Sequence, residues 1–198
     1  MADNGVNKGR RRFLVGATTV VGTVGAVGVA VPFVASWQPS ARARAAGAPV
    51  EADISKLDVG QQMTVEWRGK PVWVVHRSDE MIERTRDVDP SYLVDPDSEV
   101  PQQPAYATGP LRAIRPEISV LVGICTHLGC SPLYRPEPDA AEMGDNWPGG
   151  YFCPCHGSRF DLAGRVFVNV PAPTNLVVPP HRYDSDDIII VGEDEETA

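Results

Sequence analysis

Cysteine and histidine are scarce here, with four of each in 198 residues. Yet all four cysteines and two of the histidines fall in two six-residue segments. These are Cys125-Thr126-His127-Leu128-Gly129-Cys130 and Cys153-Pro154-Cys155-His156-Gly157-Ser158. Charge is missing from residues 13–34. A helix there has no charged face to turn to water, which excludes an amphipathic surface helix and disfavours a core helix. Beyond residue 50 no stretch reads as a helix long enough to cover a parallel sheet, which excludes helix-covered α/β layouts.

The charge is divided unevenly. The first 46 residues carry Lys8, Arg10, Arg11, Arg12, Arg42 and Arg44 against Asp3 alone, a net of +5. The other 152 residues carry 12 basic and 25 acidic groups, a net of −13, and nucleic acid is not expected as a partner. As a helix, the uncharged run spans roughly 33 Å at about 1.5 Å per residue, enough for a bilayer core. Residues 13–36 therefore read as a transmembrane anchor in contact with membrane lipid. The basic cluster before it places residues 1–12 in the cytoplasm. Arg10-Arg11-Arg12-Phe13-Leu14 has the R-R-x-F-L form of a twin-arginine signal, a route for proteins already folded around a cofactor. These features predict a bacterial inner-membrane protein, single-pass, with its folded domain in the periplasm. Ala43-Arg44-Ala45 resembles a signal-peptidase site, but the apolar run exceeds a secretory h-region, so an uncleaved anchor is expected. Gly22, Gly25 and Gly28 form a small-residue strip on the anchor. Residues 37–49, rich in Ala and small residues, read as a flexible tether, with Trp37 at the lipid interface.

Residues 50–198 read as one domain of short strands and frequent turns. Residues 63–67 and 71–76 form a hairpin around Arg68-Gly69-Lys70. Residues 78–86 form a helix with Ser78 as cap and acids in its first turn. Residues 87–117 are proline-rich and loop-like. Residues 118–124 form a buried strand that delivers Cys125, and 165–170, 176–178 and 188–191 are further strands. An all-β, antiparallel sandwich with a small cluster-binding subdomain fits best. His76 and His181 read as structural or surface residues. Residues 131–152 read as a surface insertion. The acidic tail reads as a solvated end.

The two Cys/His segments carry the chemistry. Two thiolates and two imidazoles can hold a two-iron, two-sulfur cluster, with both Cys on one iron and both His on the other. A structural zinc site is the competing reading, although C-P-C-H is an awkward zinc knuckle. Plain disulfides are a third, and they leave His127 and His156 unexplained. On these loops the sequence resembles the Rieske iron–sulfur subunits of ubiquinol–cytochrome c reductase. The resemblance implies one 2Fe-2S cluster, with Cys125 and Cys153 on the inner iron and His127 and His156 on the outer. It implies a Cys130–Cys155 disulfide, Leu128 as a shield, and Ser158 as a donor to a bridging sulfide. It makes His156 the residue that meets quinol. Val170-Pro171-Ala172-Pro173 matches the family's proline loop, with Val170 where Gly is usual. Gly157-Ser158-Arg159-Phe160 departs from the family's Gly-Ser-x-Tyr, so one donor to a ligand sulfur is missing.

The function so implied is quinol oxidation within a membrane quinol–cytochrome c oxidoreductase. The electron would pass to a c-type cytochrome subunit, beside a cytochrome b subunit, in a dimeric complex. The tether would let the domain swing between its two sites. The alternative is the Rieske small subunit of an arsenite-oxidase-type periplasmic enzyme.

Overall fold

The computed structural model describes residues 5, 7–138, 143 and 146–194, and divides them into an N-terminal helical unit and a β unit beginning at Ala46.

In the helical unit, α1 runs Lys8–Ser36. The Asn7 side chain caps it by accepting from the Arg10 N–H. The Thr19 and Thr23 hydroxyls donate back to carbonyls one turn earlier, so neither leaves a bare polar group on an apolar rod. None of its side chains is buried, and the helix is long and apolar enough to cross a membrane. A six-residue helix, α2 (Ala41–Ala46), occupies part of the segment expected to be a flexible tether.

The β unit holds three antiparallel three-stranded sheets. The first joins β1 (Val50–Asp53), β9 (Ile188–Val191) and β8 (His181–Tyr183) in that order. The second joins β2 (Gln62–Trp67), β3 (Lys70–His76) and β4 (Ile118–Val122). The third and smallest joins β5 (Leu133–Arg135), β6 (Gly150–Phe152) and β7 (Arg159–Asp161).

The second sheet is the middle layer. Successive side chains of a strand face opposite sides. Val72 and Val74, with Val120 and Val122 across from them, pack against Ala52, Ile189 and Val191 of the first sheet. Trp73 and Val75, with Leu121, pack the other way, against Tyr151 and Phe160 of the third sheet and against Cys125 and Cys153. This two-sided burial explains why β3 and β4 read as continuous apolar runs. The β2–β3 turn is tighter than expected. Trp67 pairs with Lys70, and Arg68 and Gly69 both have positive φ, the type I′ pattern that suits strand twist.

Helix α3 (Asp79–Arg86) starts as expected, with Ser78 Oγ accepting from the Met81 N–H and basic residues in its last turn. Three expectations need correction. Residues 165–170 form only isolated bridges, Leu93 with Phe167 and Phe160 with Val166. Side chains take the N–H groups that a ladder would use: Asp161 accepts from Arg165 and Asn175 from Val166. Residues 176–178 are not a strand either; Pro173, Pro179 and Pro180 around them offer no N–H, and their bonds go singly to Gly164, Val122 and Gln102. Residues 131–152 are more than a surface insertion. They supply β5 and the whole of the third sheet's middle strand, and Met143 and Trp147 are buried against Leu93 and Phe167.

Candidate metal centre

The third sheet and the end of β4 present the two Cys/His segments side by side. β4 ends at Val122, and Gly123 follows. A Cβ there would come 2.2 Å from Trp73 Cε2, so only glycine lets the chain pass over that indole and deliver Cys125. β6 ends at Phe152 and delivers Cys153 in the same way.

The two loops are built on one plan. In each, the first cysteine N–H donates to the carbonyl five residues on: Cys125 to Cys130 and Cys153 to Ser158, both at 2.8 Å. In each, a glycine four residues on donates back to that cysteine's carbonyl, Gly129 at 3.0 Å and Gly157 at 2.9 Å. Both glycines lie at positive φ, +84° and +76°, with open space where a Cβ would stand. Backbone conformation, rather than crowding, demands glycine there. The plan is common but the side chains are offset. Histidine is third in the first loop and fourth in the second.

This offset brings the donors together. The His127 and His156 rings lie edge to face with centroids 4.8 Å apart. Cys130 and Cys155 are joined by a disulfide, S–S 2.09 Å, which clips loop to loop. The sulfurs of Cys130, Cys153 and Cys155 lie within 4.8 Å of one another, a grouping that looks like a metal triad. Two of those sulfurs are spent on the disulfide and carry no thiolate charge, so the grouping shows only how closely the disulfide lies against Cys153. The free cysteines are Cys125 and Cys153, both 2% exposed.

Cys125 and Cys153 are hydrogen-bond neighbours. Burial pushes the Cys125 thiol up; the His127 backbone N–H pulls it down, Cys153 adds to the rise, and the Ser158 hydroxyl lowers it. The thiolate is the form that binds a metal, and a metal centre would supply positive charge beside these two buried sulfurs. Both sulfurs lie inside the protein, while His127 is half-buried and His156 exposed. The donor set is thus segregated, with soft sulfur donors inside and imidazoles at the rim. That layout fits a two-metal centre with one inner and one outer ion better than a single tetrahedral ion.

Around the donors, Leu128 stands 72% exposed beside His127. Residues 170–173 close the third side: Val170 and Ala172 pack into the same core as Cys125 and Cys153, while Pro171 and Pro173 are exposed. This segment is tied to both loops. The Ala172 N–H donates to Ser158 Oγ at 3.1 Å, and Thr126 Oγ1 donates to the Thr174 carbonyl at 2.7 Å. The Thr126 tie had no signal in the sequence. Phe160, fully buried and opposite Tyr151 in the β6–β7 register, belongs to the same core. His76 and His181 lie apart from the donor set, with Nδ1 atoms 2.8 Å from the Leu57 and Pro179 carbonyls, as expected of structural residues.

Residues 49–180 match the Rieske 2Fe-2S domain family. Residues 1–40 match a second family, described as "Ubiquitinol-cytochrome C reductase Fe-S subunit TAT signal". The chain is 65% identical, over its whole length and 95% of the relative's, to the ubiquinol–cytochrome c reductase iron–sulfur subunit of Allochromatium vinosum. It is 42% identical to the subunit of the same description from Rhodospirillum rubrum, covering 95% of this chain and 94% of that one. It is also 41% identical to the mitochondrial cytochrome b-c1 complex subunit Rieske of Theropithecus gelada, over 91% of this chain and 58% of the relative.

Proposed function

The chain belongs to the Rieske iron–sulfur subunits of ubiquinol–cytochrome c reductase, and from that premise we propose how its residues serve electron transfer from quinol to cytochrome c. As a family member it works within the respiratory complex III assembly, carries a Rieske 2Fe-2S cluster and is anchored in a membrane by α1. The finer assignments are our reading. Cys125 and Cys153 are the inner ligands and His127 and His156 the outer ones. The single observation that carries this is the segregation of the donors, two buried thiols behind and two touching imidazoles in front.

When bound, the cluster supplies a one-electron acceptor whose imidazole ligands raise its potential into the range of about −150 to +300 mV. The protein's own residues do the rest. His156, the more exposed imidazole, presents its free ring nitrogen to the quinol hydroxyl and takes its proton. Leu128, Pro171 and Pro173, all exposed around the histidines, form the apolar rim that meets the cytochrome b subunit and keeps water from the transfer. The disulfide and Ser158 hold the two loops in register over the thiols. Arg10 and Arg11 direct the folded chain across the bacterial inner membrane, leaving residues 1–12 in the cytoplasm and the β unit in the periplasm. A c-type cytochrome subunit receives the electron, within a dimeric complex.

The test is direct. His127→Ala or His156→Ala in the full chain should abolish the reduced Rieske paramagnetic resonance signal and quinol oxidation together. A normal signal in either variant would remove that histidine from the ligand set.

A further inference from the structure

The second loop and the proline segment are two arms of one hairpin. β7 carries the chain from Ser158 to Asp161, and the return arm runs from Arg165 toward Val170. The arms are bonded, with the Phe167 N–H donating to the Arg159 carbonyl at 3.1 Å and the Asp161 N–H to the Arg165 carbonyl at 3.0 Å. The Ala172–Ser158 bond closes the open end, next to the donors.

The far end is built from buried charge. Asp161, fully buried, accepts from the Ala163 and Arg165 N–H groups with Oδ1, at 2.9 and 2.8 Å, and from Arg165 Nε with Oδ2 at 2.6 Å. Arg165 reaches on to the Thr85 carbonyl at the end of α3, 2.6 Å away. Arg112 is fully buried at a left-handed φ of 47°, and it donates to the Ala163 carbonyl at 3.1 Å and to Gln103 Oε1 at 2.7 Å. A third buried guanidinium, Arg77, feels the Asp161 charge and donates to the Leu111 carbonyl at 3.1 Å. Burial pushes Arg77 and Arg112 each down to about 10, which leaves both charged at neutral pH. An ion pair buried like Asp161–Arg165 is a poor stabiliser compared with well-packed apolar side chains. The pair sits at the hairpin turn, where Arg112 also donates to the Ala163 carbonyl, and that placement calls for another account.

We infer that Asp161, Arg165 and Arg112 form a positioning lock. The lock fixes the hairpin turn to α3 and to the proline-rich segment, and so sets the spacing of the two arms over the thiols. Through that spacing it sets how much water reaches the centre, and hence its reduction potential. None of the three touches the donor set. The inference rests on the ligand assignment proposed above, and its test keeps the four ligands intact.

Two variants of the full chain in native membranes decide it, Asp161→Asn and Arg112→Gln. Redox titration followed by paramagnetic resonance gives the potential, and amide exchange on the solubilised complex reports the peptides covering 153–158 and 170–174. Both variants should keep the signal and should exchange at least tenfold faster in those peptides. Reduction adds a negative charge to the site, and water favours the charged form, so a loosened hairpin raises the potential. The reduced-to-oxidised ratio at fixed potential should rise at least threefold, about 28 mV at 59 mV per tenfold change. Arg112→Gln separates the lock from a plain charge effect, because deleting a positive charge by itself lowers the potential. A fall in Arg112→Gln, or unchanged exchange in the two peptides, overturns the lock. Loss of the signal from the parent chain would instead strike at the ligand assignment. Should Asp161→Asn fail to accumulate, the sign of the shift in Arg112→Gln still decides.

Discussion

Replacing Cys130 and Cys155 together by Ala removes the covalent clip between the loops and leaves no odd thiol to mispair. The bond joins residues 25 apart in sequence. In the chain-entropy account, closing a loop of that length constrains the unfolded chain by about 3.5 kcal/mol. For a domain of this size each kcal/mol moves the melting point by ~2–4 °C, so the metal-free variant should melt about 7–14 °C lower. The loaded protein should lose less, because the proposed ligands come two from each loop and would keep the loops joined until the centre is lost. Two further ties work in the same direction. Thr126 to Thr174 and Ala172 to Ser158 hold the loops through the proline segment, and each is worth only about 1 kcal/mol. They cannot replace the disulfide. Circular dichroism melts of the metal-free and loaded proteins, variant against parent, give the two differences. A metal-free variant melting within about 2 °C of its parent would refute the reasoning, as would a larger loss in the loaded form.

Phe160→Tyr should add a hydroxyl near the proposed ligand sulfurs, since Phe160 shares a core with Cys125 and Cys153. A donor to an anionic sulfur favours the reduced state, and the net worth of such a bond, about 1.5–3 kcal/mol, caps the rise at roughly 65–130 mV. An unchanged or lowered potential by film voltammetry, with the cluster intact, removes that role. Burial holds His181 below its ordinary range, against the Pro179 carbonyl and Asp194, so the folded protein keeps it neutral. Below about pH 6.5 the unfolded chain binds the extra proton, so this group lowers stability as pH falls. His181→Gln should flatten the acid side of a urea-unfolding profile below about pH 6.5, and an unaltered slope counts against the assignment. Arg10→Lys with Arg11→Lys should leave the folded protein on the cytoplasmic side; protease protection in right-side-out vesicles shows it, and normal exposure of the β unit would exclude the twin-arginine route.

Legibility in the sequence followed the kind of force involved. Chemistry tied to rare side chains was readable, because Cys and His at close spacing have few uses; the disulfide followed from the resemblance those loops carry, and the anchor from the uncharged run of residues 13–34. The buried strands β3 and β4 were readable from their apolar runs. The lock residues were not. Side chains such as Asp161, Arg165 and Arg112 are seldom fully buried, and nothing local in the sequence marks the partners of Arg112 and Arg165 across 51 and 80 positions. Residues 165–170 were misread as a strand for a related reason. Val166 and Phe167 have the right composition, but the Arg165 and Val166 N–H groups bond to the Asp161 and Asn175 side chains. Trp147 and Met143 were missed because a Pro- and Gly-rich segment looks like a solvent loop even when two of its side chains reach inward.

β3 has a consequence for folding fidelity. Its consecutive residues feed two different cores, Val72 and Val74 on one side and Trp73 and Val75 on the other. A slip of one residue in its pairing would drive an indole into a space shaped for valine and leave a valine where Tyr151 now stacks at 4.9 Å. Each core therefore proofreads the other. The loops inherit the register of the first sheet through β3 and its partner β4, which also feeds both cores. A defect packed far from the metal centre, beside Ile189 or Val191, would reach it as an error of alignment rather than as a lost contact.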